Sequence, residues 1–443
     1  MKLKSLLAIL FLGFSITTQA QYTISGTFSP ADDYKWIIAY KLKPGSQVYV
    51  VDTAIEDGLF TLKMPEDAKK GVYRLVYAVP QEEFYFDVIY NGTEDISLNF
   101  NTKNGVVFKN SKENKNFTSY FQQIETLERK LIDYYKNQSN DKKQYLNIVG
   151  ELKSVQESYE KQSKESIVNH FITANSPYIP KKVETLEEYL THKKDTYFDN
   201  IDFKEPILQA SNFLTDKILN YVLTALPLKQ LSQKDTELEL QKNIEKVANY
   251  LKDVNSNFST TAYYNLWLQL AASNYNMTSD FVYTNYLKSL AKENYQNQLI
   301  EDIETHNRLR IGAVAPEITW KEGKLLKKLS VLEKSPYYLI IFWSSTCSHC
   351  LRELPKLHQK LKDKANVKVI AVGLEDHDYT WKIETPKLSN FTHIIGLDKW
   401  ENKFAKIYNI QQTPSYFILD KDKKIIAKPE QQEDVIILSL IHI

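Results

Sequence analysis

The feature that most constrains this chain is a pair of cysteines that directly follows a buried strand. Residues 337–343 form a continuous apolar run, as is typical of a strand covered on both faces. Cys347 and Cys350 come just after it, and apolar residues then recur at helical spacing. The 443 residues contain no other cysteine. The fold must therefore place both sulfurs where a strand gives way to a helix, and a disulfide-stapled scaffold is excluded.

Cys347 is predicted to be the nucleophile of a reactive dithiol. The helix N-terminus presents unpaired N–H groups and positive dipole to this sulfur, which favours the thiolate. Once Cys347 has attacked a substrate disulfide, Cys350 can resolve the mixed disulfide from one turn away. An imidazole at His349 could donate a hydrogen bond or a positive charge to Cys347, lower its pKa and make the disulfide more oxidising. The alternative is that His349 is an exposed polar residue in a turn.

The helix after the pair carries an acidic residue beside the second cysteine. Glu353 lies three residues past Cys350 and therefore on the same side of the helix. Its carboxylate could take the proton of Cys350 and make that thiol a competent nucleophile, although a solvated surface glutamate is the alternative. The buried face of this helix is predicted to consist of Leu351, Leu354, Leu357 and Leu361.

A Thr413-Pro414 dipeptide precedes a strand that is predicted to begin at Ser415. A proline is tolerated at the first residue of a strand because its missing N–H is not needed there. A cis bond at this point would expose the Thr413 backbone beside the active site and let a substrate chain pair with it.

The chain as a whole is predicted to be multidomain. Residues 21–108 form short aromatic and β-branched runs bounded by turn formers, which predicts an all-β, sandwich-like domain with a structural or partner-binding role. Residues 111–309 contain a single glycine and apolar residues at helical spacing, which predicts a helical region. From 311 to 437, strands and helices alternate and end in a β-hairpin, which predicts an α/β domain.

Both ends of the chain require separate interpretation. Residues 1–20 have two lysines, an apolar run and a small-residue approach to Ala20, as in a signal peptide cleaved after that residue. The run is too short to span a bilayer, which takes about 20 apolar residues, so we expect a soluble, periplasmic protein without a membrane span after cleavage. Residues 438–443 resemble a translated sequencing adapter, which indicates a truncated gene and excludes them from fold reasoning.

From about Ile311 onward the sequence resembles the thioredoxin fold, and specifically the TlpA/ResA-like thiol–disulfide oxidoreductases of bacterial envelopes. The matching motifs are Gly312-x-x-Ala315-Pro316, Phe342-Trp343, Cys347-x-x-Cys350-x-x-Glu353-x-Pro355 and Thr413-Pro414. The complete domain order is similar to that of multidomain thioredoxin-like proteins common in Bacteroidetes.

This resemblance implies roles for particular residues. Cys347 would be the attacking thiol, Cys350 the resolving thiol and Glu353 a tuning acid or base, and Pro414 would be cis. We expect four residues to contribute to substrate binding or to tuning of the dithiol; these are Trp343, His349, Thr413 and Pro414. Two residues depart from related patterns, since Thr346 stands where many relatives have tryptophan, and Ile341 where cytosolic thioredoxins have a buried aspartate.

The expected function is thiol–disulfide exchange with protein thiols and disulfides of the cell envelope. Reduction is the favoured direction, with a membrane electron donor and with no cofactor beyond the dithiol, while the oxidant or isomerase direction stays open. The 56 Lys+Arg against 55 Asp+Glu give no electrostatic footprint for nucleic acid.

Three other functions are weighed against thiol–disulfide exchange. A peroxiredoxin-like peroxidase is disfavoured because Ile340 occupies the position where its motif has proline. A metal site is not expected, because two cysteines with His349 or His358 make a poor tetrahedral set for zinc. A non-catalytic interaction module with an idle dithiol is the third alternative.

Overall fold

A computed structural model describes residues 22–431 and 434–435. The predicted targeting segment at 1–20 and the suspect residues 438–443 lie outside the described residues. The chain divides into two compact units between Leu290 and Ala291. Within the described residues, no helix is both long and apolar enough to cross a membrane.

The first unit begins with two four-stranded β-sheets. Their strand orders are β4-β1-β7-β8 and β3-β2-β5-β6, and one apolar cluster draws buried side chains from both sheets. Buried residues alternate with more exposed ones along strands such as β4, as expected where one face of a sheet meets a core. The strands are β1 (Thr23–Ser29), β2 (Trp36–Lys43), β3 (Ser46–Ala54), β4 (Leu59–Lys63), β5 (Gly71–Val76), β6 (Tyr85–Tyr90), β7 (Ile96–Asn101) and β8 (Gly105–Phe108).

Helices follow the β-sheets. Several begin at a side-chain cap: Asp141 caps α2, and Thr185 and Glu188 form a capping box at α4. The helices are α1 (Lys112–Lys136), α2 (Lys142–Ser163), α3 (Val168–Ala174), α4 (Leu186–Asp195), α5 (Pro206–Gln209), α6 (Asn212–Thr224), α7 (Gln233–Leu251), α8 (Ser256–Ala272), α9 (Asn276–Val282), a π-helical segment (Tyr283–Leu287), α10 (Lys288–Glu293) and α11 (Asn297–Leu309).

The second unit is built on a five-stranded mixed sheet with the strand order β13-β12-β11-β14-β15. Strands β11, β12 and β13 run parallel, whereas β14 is antiparallel to β11 and to β15. The elements are β9 (Thr319–Glu322), β10 (Leu325–Lys328), β11 (Tyr337–Trp343), α12 (Ser348–Leu361), β12 (Val367–Glu375), α13 (Asp378–Glu384), a 3₁₀ turn (Thr385–Leu388), β13 (Thr392–Leu397), a 3₁₀ turn (Lys399–Glu401), α14 (Lys403–Ile407), β14 (Ser415–Asp420) and β15 (Ile425–Ala427).

Strand β11 lies in the middle of this sheet and supports an apolar cluster on each face. Alternate side chains of a strand point to opposite faces, so an uninterrupted apolar run fills both clusters. Its even-numbered residues join one cluster. Leu339, Ile341 and Trp343 join the other, together with Cys350 and the buried leucines of α12. The multidomain prediction of an all-β part, a helical part and an α/β thioredoxin-like part is confirmed.

Two details differ from the sequence analysis. Leu351 was expected on the buried face of α12, and this is wrong, because 39% of its surface is exposed. The buried positions are Cys350, Leu354, Leu357 and Leu361, so Cys350 begins the apolar face and Leu351 lies about 100° away around the helix. Helix α11, which the spacing placed with the helical region, contributes Leu309 to a core cluster of the second unit.

Candidate active site

The first cysteine is the N-cap of α12. Strand β11 ends at Trp343, and a turn closed by a hydrogen bond from Cys347 N to Ser344 O (3.1 Å) leads into the helix. The Cys347 Sγ accepts a hydrogen bond from the Cys350 backbone amide at 3.2 Å. A sulfur thus satisfies the free N–H group that a serine or aspartate side chain satisfies at most N-caps.

The two sulfurs lie side by side as free thiols in different environments. The Cys350 Sγ lies 2.7 Å from Cys347 Sγ and donates its proton toward it. Cys350 is fully buried, whereas Cys347 is partly exposed. Only Cys347 is therefore open to a substrate sulfur from solvent.

These environments move the two thiol pKa values apart. Burial alone would raise the pKa of Cys347, but hydrogen bonds from the Cys350 thiol and from the backbone amides of Cys350 and His349 outweigh burial, so this pKa lies below its ordinary value. Burial and the hydrogen bond to Cys347 raise the pKa of Cys350 far above its ordinary value. Near neutral pH the exposed sulfur is the better nucleophile, and the buried sulfur holds its proton.

The predicted proline lies directly opposite the nucleophile. The Thr413–Pro414 peptide bond is cis, and Thr413 O lies 3.4 Å from Cys347 Sγ. The two residues precede β14, which pairs antiparallel with β11. The structure thus brings Cys347, Cys350, Thr413 and Pro414 together.

Glu353 and Trp343 lie on the two elements that flank the dithiol, Glu353 on α12 and Trp343 at the end of β11. The Tyr416 hydroxyl donates to Glu353 Oε2 at 3.5 Å, and Arg352 Nη2 lies 3.8 Å from Glu353 Oε1. Trp343 is buried in the apolar cluster that contains Cys350, and its Nε1 has no hydrogen-bond partner among the described residues. The tryptophan therefore packs against the core beneath the active site and offers no surface to a substrate.

His349 makes a different contact from the one predicted. Arg352 Nη2 lies 2.6 Å from His349 Nδ1 on the exposed side of α12. Since a guanidinium can only donate, Nδ1 is the acceptor in this contact. His349 contributes to the lowered pKa of Cys347 through its backbone amide, after the larger contributions of the Cys350 thiol and amide, and not through its imidazole.

The sequence analysis missed a buried carboxyl group near this turn. Glu375, the last residue of β12, is 1% exposed and accepts a hydrogen bond from the Ser345 backbone amide at 2.6 Å. The available signal was a carboxylate that directly continues the apolar run 369–374, because such a group is rarely buried without a partner.

The second unit thus has a dithiol at the junction of β11 and α12. Strand β11 pairs in parallel with β12 on one side and with the β14–β15 hairpin on the other. This is the architecture of a thioredoxin-like redox domain. Residues 336–425 match the family model described as thioredoxin-like, so the C-terminal part of the chain is a thioredoxin-like domain. The predicted resemblance to the thioredoxin fold is confirmed for this domain.

Residues 22–117 match a second family model, described as a domain of unknown function (DUF4369). This match covers the β-sheets and the first residues of α1. A comparison with curated proteins finds no match.

Several solved structures are similar to part of this chain. The thioredoxin domain of a thiol-disulfide oxidoreductase from Bacteroides vulgatus is 27% identical, with a TM-score of 0.27, over 30% of this chain and 97% of that one. A thiol:disulfide interchange protein from Bacteroides sp. is 25% identical, with a TM-score of 0.26, over 30% and 89%. A thioredoxin-like protein from Bacteroides caccae is 17% identical, with a TM-score of 0.31, over 60% and 98%. The family assignment rests on the family model alone.

Proposed function

We propose that this protein reduces disulfide bonds in other proteins outside the cytoplasm, using Cys347 and Cys350 as its redox centre. The observation that carries the proposal is the asymmetry of the two thiols. Cys347 is accessible and its pKa is lowered, while Cys350 is buried and its pKa is raised. Thiol–disulfide exchange needs one accessible thiolate that attacks the substrate disulfide and a second thiol that stays protonated until the mixed disulfide has formed.

The exchange proceeds in two balanced steps. The Cys347 thiolate attacks one sulfur of the client disulfide, forms a mixed disulfide and expels the other client sulfur, which takes up a proton. Cys350 then loses its proton and attacks Cys347 Sγ, 2.7 Å away in the reduced protein. The client leaves as a dithiol, and the two electrons it gained come from the oxidation of Cys347 and Cys350 to a disulfide.

The second step requires a base for Cys350. Glu353 lies one helical turn further along α12, and its Oε2 accepts a hydrogen bond from the buried Tyr416 hydroxyl. We assign to Glu353 the acceptance of the Cys350 proton, with Tyr416 orienting the carboxylate. A Glu353→Gln variant should form the mixed disulfide at the wild-type rate and resolve it more slowly.

The contact of His349 favours reduction over oxidation. An imidazole that donated to the Cys347 thiolate would stabilise the dithiol and make the disulfide a stronger oxidant. Here Nδ1 of His349 instead accepts from Arg352. A reductase leaves its own cysteines as a disulfide after each exchange, so it needs an external reductant. We propose a membrane electron donor that returns the Cys347–Cys350 disulfide to the dithiol in the periplasm. The support for export is the basic and apolar pattern of residues 1–20.

Insulin reduction and client trapping test this function. Wild-type protein supplied with dithiothreitol should accelerate insulin precipitation, whereas Cys347→Ser should be inactive. Cys350→Ser should accumulate a mixed disulfide with a disulfide substrate, visible as a mass increase that a reductant reverses. A redox titration should give a potential in the reducing range of thioredoxin, about −270 mV, and a value near −120 mV would contradict the reductase direction.

A further inference from the structure

The buried carboxyl group of Glu375 is not used in the exchange described above, yet it contacts the turn that carries the nucleophile. Glu375 is the last residue of β12, and the other eight residues of this strand are apolar except for Lys368. Glu375 and Gly373 lie on the same face of the strand, the face that α12 covers. Burial of a carboxyl group is costly unless its oxygens are hydrogen-bonded. Burial of Glu375 is therefore unfavourable by itself, and the hydrogen-bond partners of its carboxyl group indicate its role.

Both oxygens of Glu375 meet donors from the same turn. Oε1 accepts from the Ser345 backbone amide at 2.6 Å, and Oε2 accepts from the Ser344 hydroxyl at 3.3 Å. Ser344 and Ser345 are themselves buried. Without Glu375, the Ser345 amide would lose this hydrogen bond in a place that water reaches poorly.

The turn held in this way leads directly into the nucleophile. Ser344 to Cys347 form one hydrogen-bonded turn, because Cys347 N donates to Ser344 O at 3.1 Å. The Ser344 hydroxyl also lies 3.0 Å from Thr346 Oγ1. A side-chain contact between Ser345 Oγ and Thr380 Oγ1 at 2.7 Å gives the turn a second attachment to the same side of the sheet.

The space around the carboxyl group is filled by an indole ring. A Cβ atom added at Gly373 would lie 2.5 Å from Trp381 Cδ1 and Nε1, and 3.6 Å from Glu375 Oε1. The absence of a side chain at Gly373 therefore lets Trp381 lie against the end of β12, close to the carboxyl group. This packing restricts the conformations that the Glu375 side chain can adopt.

We propose that Glu375 is a positioning residue for Cys347: as a hydrogen-bond acceptor it fixes the Ser344–Cys347 turn, so that Cys347 Sγ meets the first backbone amides of α12. This inference rests on the proposed function, since the alignment matters only if Cys347 is the nucleophile. Glu375 acts through the turn and does not touch the substrate. Its contribution is to hold the sulfur where the amides of His349 and Cys350 stabilise its thiolate form.

Two properties of Glu375 can be separated by substitution. As an acceptor, it favours the thiolate by keeping the turn in place. As a negative charge, it would disfavour a nearby thiolate. Glu375→Gln keeps the length and an acceptor oxygen but removes the charge, whereas Glu375→Asp keeps the charge but shortens the side chain by one methylene. The proposal predicts that the length of the side chain at position 375, and not its charge, decides the reactivity of Cys347.

The experiment measures the rate of Cys347 alkylation by iodoacetamide between pH 5 and about 9.5, the span around an ordinary thiol pKa, in the full-length protein. Glu375→Ala and Glu375→Asp should lower the rate at pH 7 by about threefold to tenfold and move the midpoint of the profile to higher pH, as expected when the hydrogen bond to the Ser345 amide is lost. Glu375→Gln should react at least as fast as the wild type. Asp376→Asn is the matched control, because this neighbouring carboxylate is exposed and pairs with Lys399.

The outcomes decide the proposal in either direction. A midpoint that is unchanged in Glu375→Asp, or a Glu375→Gln variant as slow as Glu375→Asp, would overturn it. If Glu375→Ala fails to fold, the Asp and Gln variants carry the comparison, because both retain a polar side chain at the buried position. A wild-type protein that did not reduce insulin would refute the proposed function, yet the alkylation profiles would still decide whether Glu375 positions Cys347.

Discussion

At the scale of single residues, the chemistry depends on two identical side chains in unequal surroundings. Cys350 donates to Cys347, so the same hydrogen bond lowers the pKa of one thiol and raises that of the other. Burial then keeps the second thiol protonated and out of reach of solvent. The order of events in the exchange follows from this difference, because only one of the sulfurs can begin it.

The pH dependence of thiol alkylation follows from the direction of these shifts. Cys347 should be alkylated with a midpoint below that of an ordinary thiol, about 8.5, and Cys350 should stay unmodified in the folded protein across the same range. Peptide mapping by mass spectrometry after timed exposure to iodoacetamide would separate the two sites. Cys350→Ala removes the thiol that donates to Cys347 and should raise the midpoint, whereas Cys350→Ser keeps a donor and should raise it less. A wild-type midpoint at or above 8.5 would contradict the lowered pKa of Cys347.

Residues of the candidate site differ in how far the sequence alone could predict them. Spacing placed Cys347 and Cys350 at the helix start, because a strand and a helix that flank a short turn leave few alternatives. The contact of His349 could not be predicted in this way, since it depends on which rotamer faces Arg352. Glu375 reaches the turn only through the pairing of β11 with β12, which brings residues distant in sequence together.

Gly373 is predicted to be required for the packing of Trp381. Gly373→Ala should destabilise the second unit by about 1–3 kcal/mol, because its methyl group would lie 2.5 Å from the indole. Urea denaturation followed by tryptophan fluorescence would measure the change. Gly150→Ala is the matched control, since a Cβ there meets no atom within 4 Å and α2 should gain about 0.5–1 kcal/mol. Equal effects of the two substitutions would contradict the packing argument.

At the scale of elements, α12 joins the chemistry to the core. Its buried positions fall at Cys350, Leu354, Leu357 and Leu361, a spacing of four, three and four residues that forms one continuous stripe. The resolving cysteine is thus the first member of the apolar face that fixes the helix on the sheet. The burial that packs the helix also raises the pKa of Cys350.

Two leucines of α12 provide a matched pair of substitutions. Leu357→Ala should cost about 2–5 kcal/mol of unfolding free energy, because this side chain is fully buried and its loss leaves a cavity. Leu351→Ala should cost less than about 1 kcal/mol, since Leu351 is exposed. Equilibrium urea titrations of both variants would measure the difference. A Leu351 variant as unstable as the Leu357 variant would restore the original assignment of Leu351 to the buried face.

Elements with strong periodicity were predictable, and short exposed ones were not. The bounds of β11 agree with the uninterrupted apolar run, because a strand buried on both faces has no polar residue until it ends. The hairpin of β9 and β10 escaped prediction, since its four-residue strands are mostly exposed and rich in lysine. Its turn contains Gly323 at φ +60°, a weak signal in a stretch without alternating burial.

At the scale of the whole molecule, the dithiol and the residues proposed to act on it or to position it all belong to the second unit. The two cysteines and Glu353 are at or on α12, Thr413 directly precedes β14, and Glu375 ends β12. Two apolar clusters of this unit support these elements. The first unit has a cluster of its own between its two sheets. Each unit therefore contains the buried apolar surface that a folding domain needs.

The position of the boundary leads to a prediction about fragments. A fragment of residues 291–443 should fold and reduce insulin within about twofold of the full-length rate, because it contains both cysteines and both apolar clusters of the second unit. A fragment of residues 311–443 should be less stable by about 2–4 kcal/mol, because it lacks the buried Leu309 and the hydrogen bond from Arg308 Nε to Ile407 O (2.9 Å). Thermal unfolding and insulin reduction of both fragments would test this. Leu309→Ala in the longer fragment should reproduce part of the loss, and equal stability of the two fragments would show that α11 contributes nothing to the thioredoxin-like domain.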